Sequence, residues 1–407
     1  MSESNQDYIQ EIEQIRKTFS DLVHYTPLEL NHTFSLFSNN EVYLKLENFQ
    51  RTGSFKIRGA INKISKLLEK ERIAGVITAS AGNHGQGVAL AAKLFNIEAK
   101  IVVPEGTSIV KIEAIKNYSG TVIEFGRTYD ESFQKALEIK DKENLTFIHA
   151  FNDLDIIKGQ ATIGFEILEL LSDIDYIFCP IGGGGLISGI SSYCKKKSRN
   201  IKIIGVQSDN AQSMYESFKK NELIHLDSQE TICDGIAVKK LGDITFEMVK
   251  KYVDEIVLVT DEEVANTILL LLERAKLFVE GAGAVALAAL LNKKIKIENK
   301  KIVVIISGGN LTPNLLNRII VKGLIKEGRL VKLKTIVPDI PGALLKVLNI
   351  IAKEKGNIIS IFHDRERLEL SYKKAEVILE IETRNQEHIN QIVKELKKRY
   401  EIEILRF

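Results

Sequence analysis

Along residues 42–310, short apolar runs alternate with amphipathic stretches of helical length. "GVITAS" leads into "GVALAAKLF", "AKIVVPE" into "IVKIEAIKNYS" and "TVIEF" into "YDESFQKALEIK", a rhythm of strand, helix and strand. The runs "YIFCPI", "KIIGVQ" and "IVVIIS" are apolar without alternation. Strands of that kind belong to sheets covered on both faces, which parallel connectivity produces. The pattern predicts an open, mostly parallel α/β architecture. Near "KEGRL", Lys326 to Leu330, it gives way to strand, helix, strand, strand, helix, strand. There "LVKLKTIV" and "AEVILEIE" alternate apolar with polar positions, as an antiparallel sheet with helices on one face requires. A separate C-terminal α+β module is expected. The charge run Lys195 to Lys197 reads as a solvated helix end.

Composition narrows the classes. The chain has 407 residues, enough for two or three domains, and is 44% hydrophobic, enough to bury cores. A formal net charge of +2 with scattered basic residues suggests neither a nucleic-acid stripe nor a polybasic membrane patch. Small molecules or further copies of the chain are the expected partners. Cys179, Cys194 and Cys233 are odd in number and lack CxxC spacing, which points to a reducing, cytoplasmic compartment. The polar N-terminus "MSESNQDYIQEIEQIRK" and the absence of a span-length apolar run lead to the expectation of neither export nor membrane insertion.

Four stretches carry candidate chemistry. In "TGSFKIRGA", Ser54 is a good N-cap and Lys56 then falls about two residues into a helix. The positive end of the helix dipole and the neighbouring Phe55 both disfavour a protonated amine there, leaving the neutral nucleophile that a Schiff base needs. An exposed lysine with a snorkelling stem is the competing interpretation. In "IFCPIGGGGLISGI" an apolar strand runs through Gly182, Gly183, Gly184 and Gly185 into a helix, the geometry of a phosphate cradle. It is not GxGxxG, because Ile187 or Ser188 takes the last position, and it lacks the lysine of a P-loop. A purely structural glycine turn is the alternative.

The stretch "TASAGNHGQGVAL" turns through Ser80, Ala81, Gly82, Asn83 and His84 into a helix, exposing donors suited to a carboxylate, with the Asn83 amide able to bond a ring hydroxyl. His84 taken alone reads as structural rather than as a base. The seven histidines lie far apart with no HExxH, so no metal is expected. In "KIVVIISGGN" a buried strand delivers Ser307 to its C-terminal end, where ligands of open α/β sheets bind, although a serine in a tight turn explains that stretch equally well.

In this order along one chain, these motifs resemble the pyridoxal-phosphate (PLP) enzymes of the tryptophan synthase β type, and most closely the threonine dehydratases. "ENFQRTGSFKIRGA" matches that family's attachment motif, and "TICDGIAV" and "VEGAGAVALAAL" also look like it, over roughly Tyr25 to Lys326. The resemblance implies PLP-dependent fold type II, two open and mostly parallel α/β domains. Residues 1–326 would form the catalytic region, with about 45–150 as an inserted small domain and 1–44 with 151–326 as the large one. By matching position, Lys56 would carry the cofactor as a Schiff base and move the substrate α-proton, with Phe55 beside the ring. Asn83 would bond the ring hydroxyl, Gly182 to Gly185 with Leu186 would hold the phosphate, and Ser307 would face the ring nitrogen. Ser80 to His84 would hold the substrate carboxylate, and Asn152 and Gly235 would line the cofactor.

The implied reaction converts L-threonine to 2-oxobutanoate and ammonia, with L-serine as a further substrate. Similar serine racemases carry a second serine where this chain has Ala81, and bind a cation where it has Gln207 and Ser213. A serine racemase or serine dehydratase on the same scaffold, and a non-catalytic amino-acid sensor, are the rival readings. Residues 330–407 resemble a ferredoxin-like ACT domain, a βαββαβ regulatory module. That likeness implies Asp339, Ile340, Pro341, Gly342, Ala343 and Asn357 as contacts for an amino-acid or nucleotide effector. It also implies a homo-oligomer, tetramer or dimer. Whether the role is isoleucine biosynthesis or degradation stays open at this level.

Overall fold

The computed structural model describes residues 4–227 and 229–405. By its own contacts the chain divides into Met1–Leu311 and Thr312–Phe407. The first unit contains a six-stranded sheet in the spatial order Leu28–Leu30, Glu41–Leu46, Lys301–Ile306, Tyr176–Pro180, Lys202–Ser208 and Glu255–Val259. Only Leu28–Leu30 runs antiparallel to its neighbour. A second, four-stranded and fully parallel sheet has the order Thr121–Glu124, Ala99–Val103, Val76–Ala79 and Thr146–Phe147. Helices cover these sheets, which is why Ile302 to Ile306 and Val76 to Ala79 are buried without alternation. The parallel α/β reading therefore holds. No described helix is long and apolar enough to cross a membrane.

Parallel connectivity brings the C-terminal strand ends together, and each candidate stretch is a loop at such an end. Val76–Ala79 feeds Ser80 to Gly82 and the helix Asn83–Leu94; Tyr176–Pro180 feeds the glycine loop and the helix Gly185–Lys197. Lys301–Ile306 feeds Ser307 to Asn310. The lysine helix begins at Lys56 itself (Lys56–Ser65), with Phe55 at the N-cap and no side-chain cap. This corrects the expectation for Ser54. Its backbone is drawn into a bridge with Gly308, Phe55 N donates to Ser307 O at 3.2 Å, and the buried Ser54 Oγ finds no hydrogen-bond partner among the described residues.

That helix is anchored by buried charge. Arg58 donates to Glu47 (Nε to Oε2, 2.8 Å) and to Glu166 (Nη1 to Oε1, 2.7 Å), while Lys45 Nζ and Arg16 Nε reach Glu166 at 2.6 and 2.5 Å. All five side chains are buried. Burial alone would raise the Glu166 carboxyl, but Arg58 and Lys45 more than offset it and hold it below its ordinary value. Close packing adds to this anchor: a Cβ on Gly159 would lie 2.6 Å from Gly59 Cα, so the helix Leu154–Leu170 crosses the lysine helix backbone to backbone.

The second unit opens with the helix Pro313–Lys326, started by its proline. A four-stranded antiparallel sheet follows, in the order Asn357–Asp364, Lys374–Glu382, Leu330–Pro338, Ile402–Leu405. Val331, Leu333, Val337, Val377, Leu379 and Ile381 pack with Val347 and Ile351 of the helix Ala343–Lys353 and with Ile392 and Leu396 of the helix Gln386–Lys397. The period-two pattern read from the sequence thus becomes a sheet with helices on its buried face.

Removing the guanidinium by Arg58→Met leaves the buried Glu47 and Glu166 carboxylates short of their cation. The expected cost is about 3–5 kcal/mol, measured as a lower denaturation midpoint; an unchanged midpoint would show that the two carboxylates are not left uncompensated by loss of the guanidinium.

Candidate active site

The side chain of Lys56 is only partly exposed, and its Nζ donates to Ala150 O at 3.0 Å while lying 5.1 Å from the centroid of the Phe55 ring. A carbonyl is a poor substitute for water around an ammonium. Burial therefore lowers the pKa from 10.5 to about 8, with Glu280 pulling weakly the other way. Position adds to this, since the first residue of a helix sits at the positive end of its dipole.

Across from the amine, the glycine loop packs onto the residues that follow His149. A Cβ on Gly183 would overlap the Phe151 ring, one on Gly185 would come 3.0 Å from Phe151 Cα, and Gly184 has φ +91°. Glycine is required there by space at Gly183 and Gly185 and by backbone conformation at Gly184. The loop delivers its amides to the N-terminus of a 13-residue helix, the setting that binds phosphate groups. Leu186 is buried in the core against which Phe55 packs. Gly182 abuts Ile236, Gly235 abuts Ala282, and the Ala282 carbonyl accepts from Ser307 Oγ at 3.2 Å. Lys56 and the glycine loop are thus linked through Ala150 and Phe151, the loop and Gly235 through Ile236, and Gly235 and Ser307 through Ala282.

Asn83 starts its helix and is held at both ends of its amide. Its Nδ2 donates to Glu280 Oε1 at 2.6 Å, and its Oδ1 accepts from Asn310 Nδ2 at 2.6 Å. Glu280 is buried, which raises its carboxyl to about 7 despite the bond from Asn83. Neither Glu280 nor Asn310 is identifiable from sequence as an orienter of Asn83; their only signal is membership of "VEGAG" and "SGGN". His84 points away from chemistry: it is buried, its Nε2 pairs with Ile148 O at 2.9 Å, and burial with the Lys56 charge lowers it to about 3. Ser80 Oγ accepts from Gly82 N at 3.2 Å, and a Cβ on Gly82, the residue before Asn83, would meet open space. Ala81 presents no hydrogen-bonding side chain there. Asn152 caps the helix Asp243–Tyr252 by accepting from Ile244 N at 3.1 Å and Thr245 N at 3.4 Å.

In the second unit, Asp339 Oδ2 receives Arg365 Nε and Nη2 at 3.0 and 2.8 Å, Ile340 is exposed, and the turn through Pro341 and Gly342 (φ +80°) starts the helix at Ala343. Asn357 bonds Glu382, which pairs with Leu330, whereas the Asp339 turn follows Pro338 at the other end of that strand. Eight residues of strand, about 26 Å, separate them, so one copy of the module does not bring Asn357 to that turn.

Residues 19–308 match the family described as pyridoxal-phosphate dependent enzyme. The chain belongs to the pyridoxal-phosphate dependent enzyme family. Residues 331–399 match the ACT domain. The chain is 47% identical over 398 residues to an L-threonine ammonia-lyase of Thermotoga maritima, covering 98% of this chain and 99% of that one. Among solved structures it is similar to the processed form of threonine deaminase isoform 2 from Solanum lycopersicum, with TM-score 0.74 and 39% identity over 78% of this chain and 93% of that one. It is also similar to maize serine racemase, with TM-score 0.73 and 34% identity over 79% and 98%.

The residues present fit the cofactor of this pyridoxal-phosphate dependent family. A partly buried amine has a carbonyl for its partner, a glycine loop with no room for a Cβ at Gly183 or Gly185 opens a helix N-terminus, and the amide of Asn83 is oriented by Glu280 and Asn310. The neutral fraction of Lys56 grows as pH rises through about 8. Capture of a plain aromatic aldehyde by the apo-protein should therefore accelerate with pH and level off with an inflection near 8. An inflection near the ordinary 10.5 would contradict the desolvated setting.

Proposed function

We infer that this protein is a threonine ammonia-lyase that converts L-threonine to 2-oxobutanoate and ammonia, and accepts L-serine to give pyruvate. The observation that carries the reading is the Lys56 amine bonded to the Ala150 carbonyl, next in the chain to the Phe151 ring on which the glycine cradle packs. The 47% identity to a threonine ammonia-lyase over nearly the whole of both chains supports it.

Bound here, pyridoxal phosphate supplies an electron sink for the negative charge left on the substrate Cα when its proton departs. Lys56 would attach the cofactor and, as a free amine, would be the general base for that proton; its lowered pKa keeps a share neutral near pH 7. The Ala150 carbonyl, 3.0 Å from Nζ, orients the base. Gly182 to Gly185 and Leu186 would hold the phosphate through backbone amides, and Phe55, Asn152 and Gly235 would line the cofactor. Asn83 has one Nδ2 hydrogen on Glu280 and the other available to the ring hydroxyl. Ser307, a neutral hydroxyl, would face the ring nitrogen; turning its hydrogen from Ala282 O to that nitrogen would leave the nitrogen unprotonated, which favours prompt elimination.

The turn Ser80 to His84 holds the substrate carboxylate with backbone donors at the start of the helix Asn83–Leu94. The methyl group of Ala81 can neither take nor return a proton on the face opposite Lys56, which disfavours racemisation. The ACT module is read as regulatory, binding an amino-acid or nucleotide effector through Asp339 to Ala343 and Asn357, in a cytoplasmic homo-oligomer. Because Asn357 lies at the far end of the sheet, a second copy would have to complete a site that uses both.

The test is product analysis of the purified holoenzyme with each substrate. Release of 2-oxobutanoate from L-threonine and of pyruvate from L-serine, with D-serine below about 1% of turnover, is expected. Substantial D-serine with little 2-oxobutanoate would favour a racemase.

A further inference from the structure

Between the strand Thr146–Phe147 and the helix Leu154–Leu170, the chain crosses the active site with little support from the sheet. Ile148 is the last residue tied to it, through Ile77 O at 2.9 Å. Each residue that follows has a separate task. The Ala150 carbonyl receives the Lys56 amine, Phe151 is the floor under Gly183 and Gly185, Asn152 caps the helix Asp243–Tyr252, and Asp153 caps Leu154–Leu170 by accepting from Asp155 N at 2.8 Å and Ile156 N at 3.2 Å. Lysine and phosphate loop thus meet through the backbone of residues 150 and 151.

One side chain organises that backbone. His149 Nδ1 accepts from Phe151 N at 3.2 Å and from Asn152 N at 2.9 Å. With Nδ1 a double acceptor, the ring is neutral and its hydrogen is on Nε2. The setting favours that state: burial first, then the Lys56 charge, lower the imidazole to about 4, opposed by Asp153. The ring also stands edge-to-face on Phe151, centroids 4.7 Å apart, so packing alone is the rival explanation of its presence.

We propose that His149 is a positioning residue for cofactor attachment, its Nδ1 gathering two consecutive amides so that the Ala150 carbonyl and the Phe151 ring hold Lys56 and the glycine loop at working separation. The inference rests on the reading that Lys56 carries pyridoxal phosphate. A turn of this shape needs an acceptor rather than an aromatic ring. Asparagine places an amide oxygen near the position of Nδ1 and closes the same turn, whereas phenylalanine keeps the ring and leaves two amides unpaired.

The full-length apo forms of wild type, His149→Asn and His149→Phe are titrated with pyridoxal phosphate by absorbance, with circular dichroism and melting curves to confirm folding. His149→Phe should bind about 10- to 100-fold more weakly. His149→Asn should stay within about threefold of wild type. Wild-type affinity in the Phe variant, or an equal loss in both, overturns the proposal. If the Phe variant does not fold, His149→Ala takes its place as the acceptor-free form and the same comparison decides. Failure of the wild-type chain to take up the cofactor would sink the function proposed above, whereas indifference of the variants sinks this inference alone.

Discussion

The free energy of keeping one amine away from water governs this structure. A lysine ammonium in a crevice whose hydrogen-bond partner is a single carbonyl is unfavourable, and the fold tolerates it because the neutral form is the useful one. Every neighbour of Lys56 bears on that balance. Phe55 and the Ala150 carbonyl replace solvent, and the helix start adds positive potential. Glu280, whose charge acts on the amine, is itself buried, which raises its carboxyl to about 7 so that it is only partly ionised at neutrality. A fully ionised carboxylate there would have drawn the lysine back towards its charged state.

Holding such an amine in register with a phosphate cradle is a packing problem, solved with contacts that leave little freedom. Gly159 against Gly59 brings two helices to backbone contact, and Gly183 on the face of Phe151 locks the loop onto the crossing segment. Arg58, two residues beyond the lysine, ties the same helix to Glu47 and Glu166 in a buried network that also recruits Arg16 and Lys45. Buried ion networks contribute little net stability but are strongly directional, and breaking one is costly. The lysine helix is therefore fixed in rotation as well as in position, which is what the geometry of an attachment site demands.

The elements that carry the candidate site were legible in the sequence wherever the signal is local. Lysine after serine and phenylalanine, four glycines between strand and helix, and a serine ending an apolar strand each place a group on an element whose boundaries follow from neighbouring residues. The parallel sheets and the change to an alternating module after Lys326 were legible for the same reason. Ser54 misled as a cap because its backbone is claimed by Gly308, a pairing between residues far apart in the chain. Glu280 and Asn310, which fix the amide of Asn83, are 197 and 227 residues from it, and Arg16 is 150 residues from Glu166. His149 acts within three residues, yet only the folded turn reveals that Nδ1 is an acceptor. Asn357 and the Asp339 turn, grouped as effector contacts by the ACT resemblance, are separated by the full length of a strand.

The most direct test of the central claim is to reduce the holoenzyme with borohydride, digest it and map the pyridoxyl group by mass spectrometry. The account predicts a single modified peptide carrying the group on Lys56. A group found on another lysine, or no covalent group at all, would contradict it.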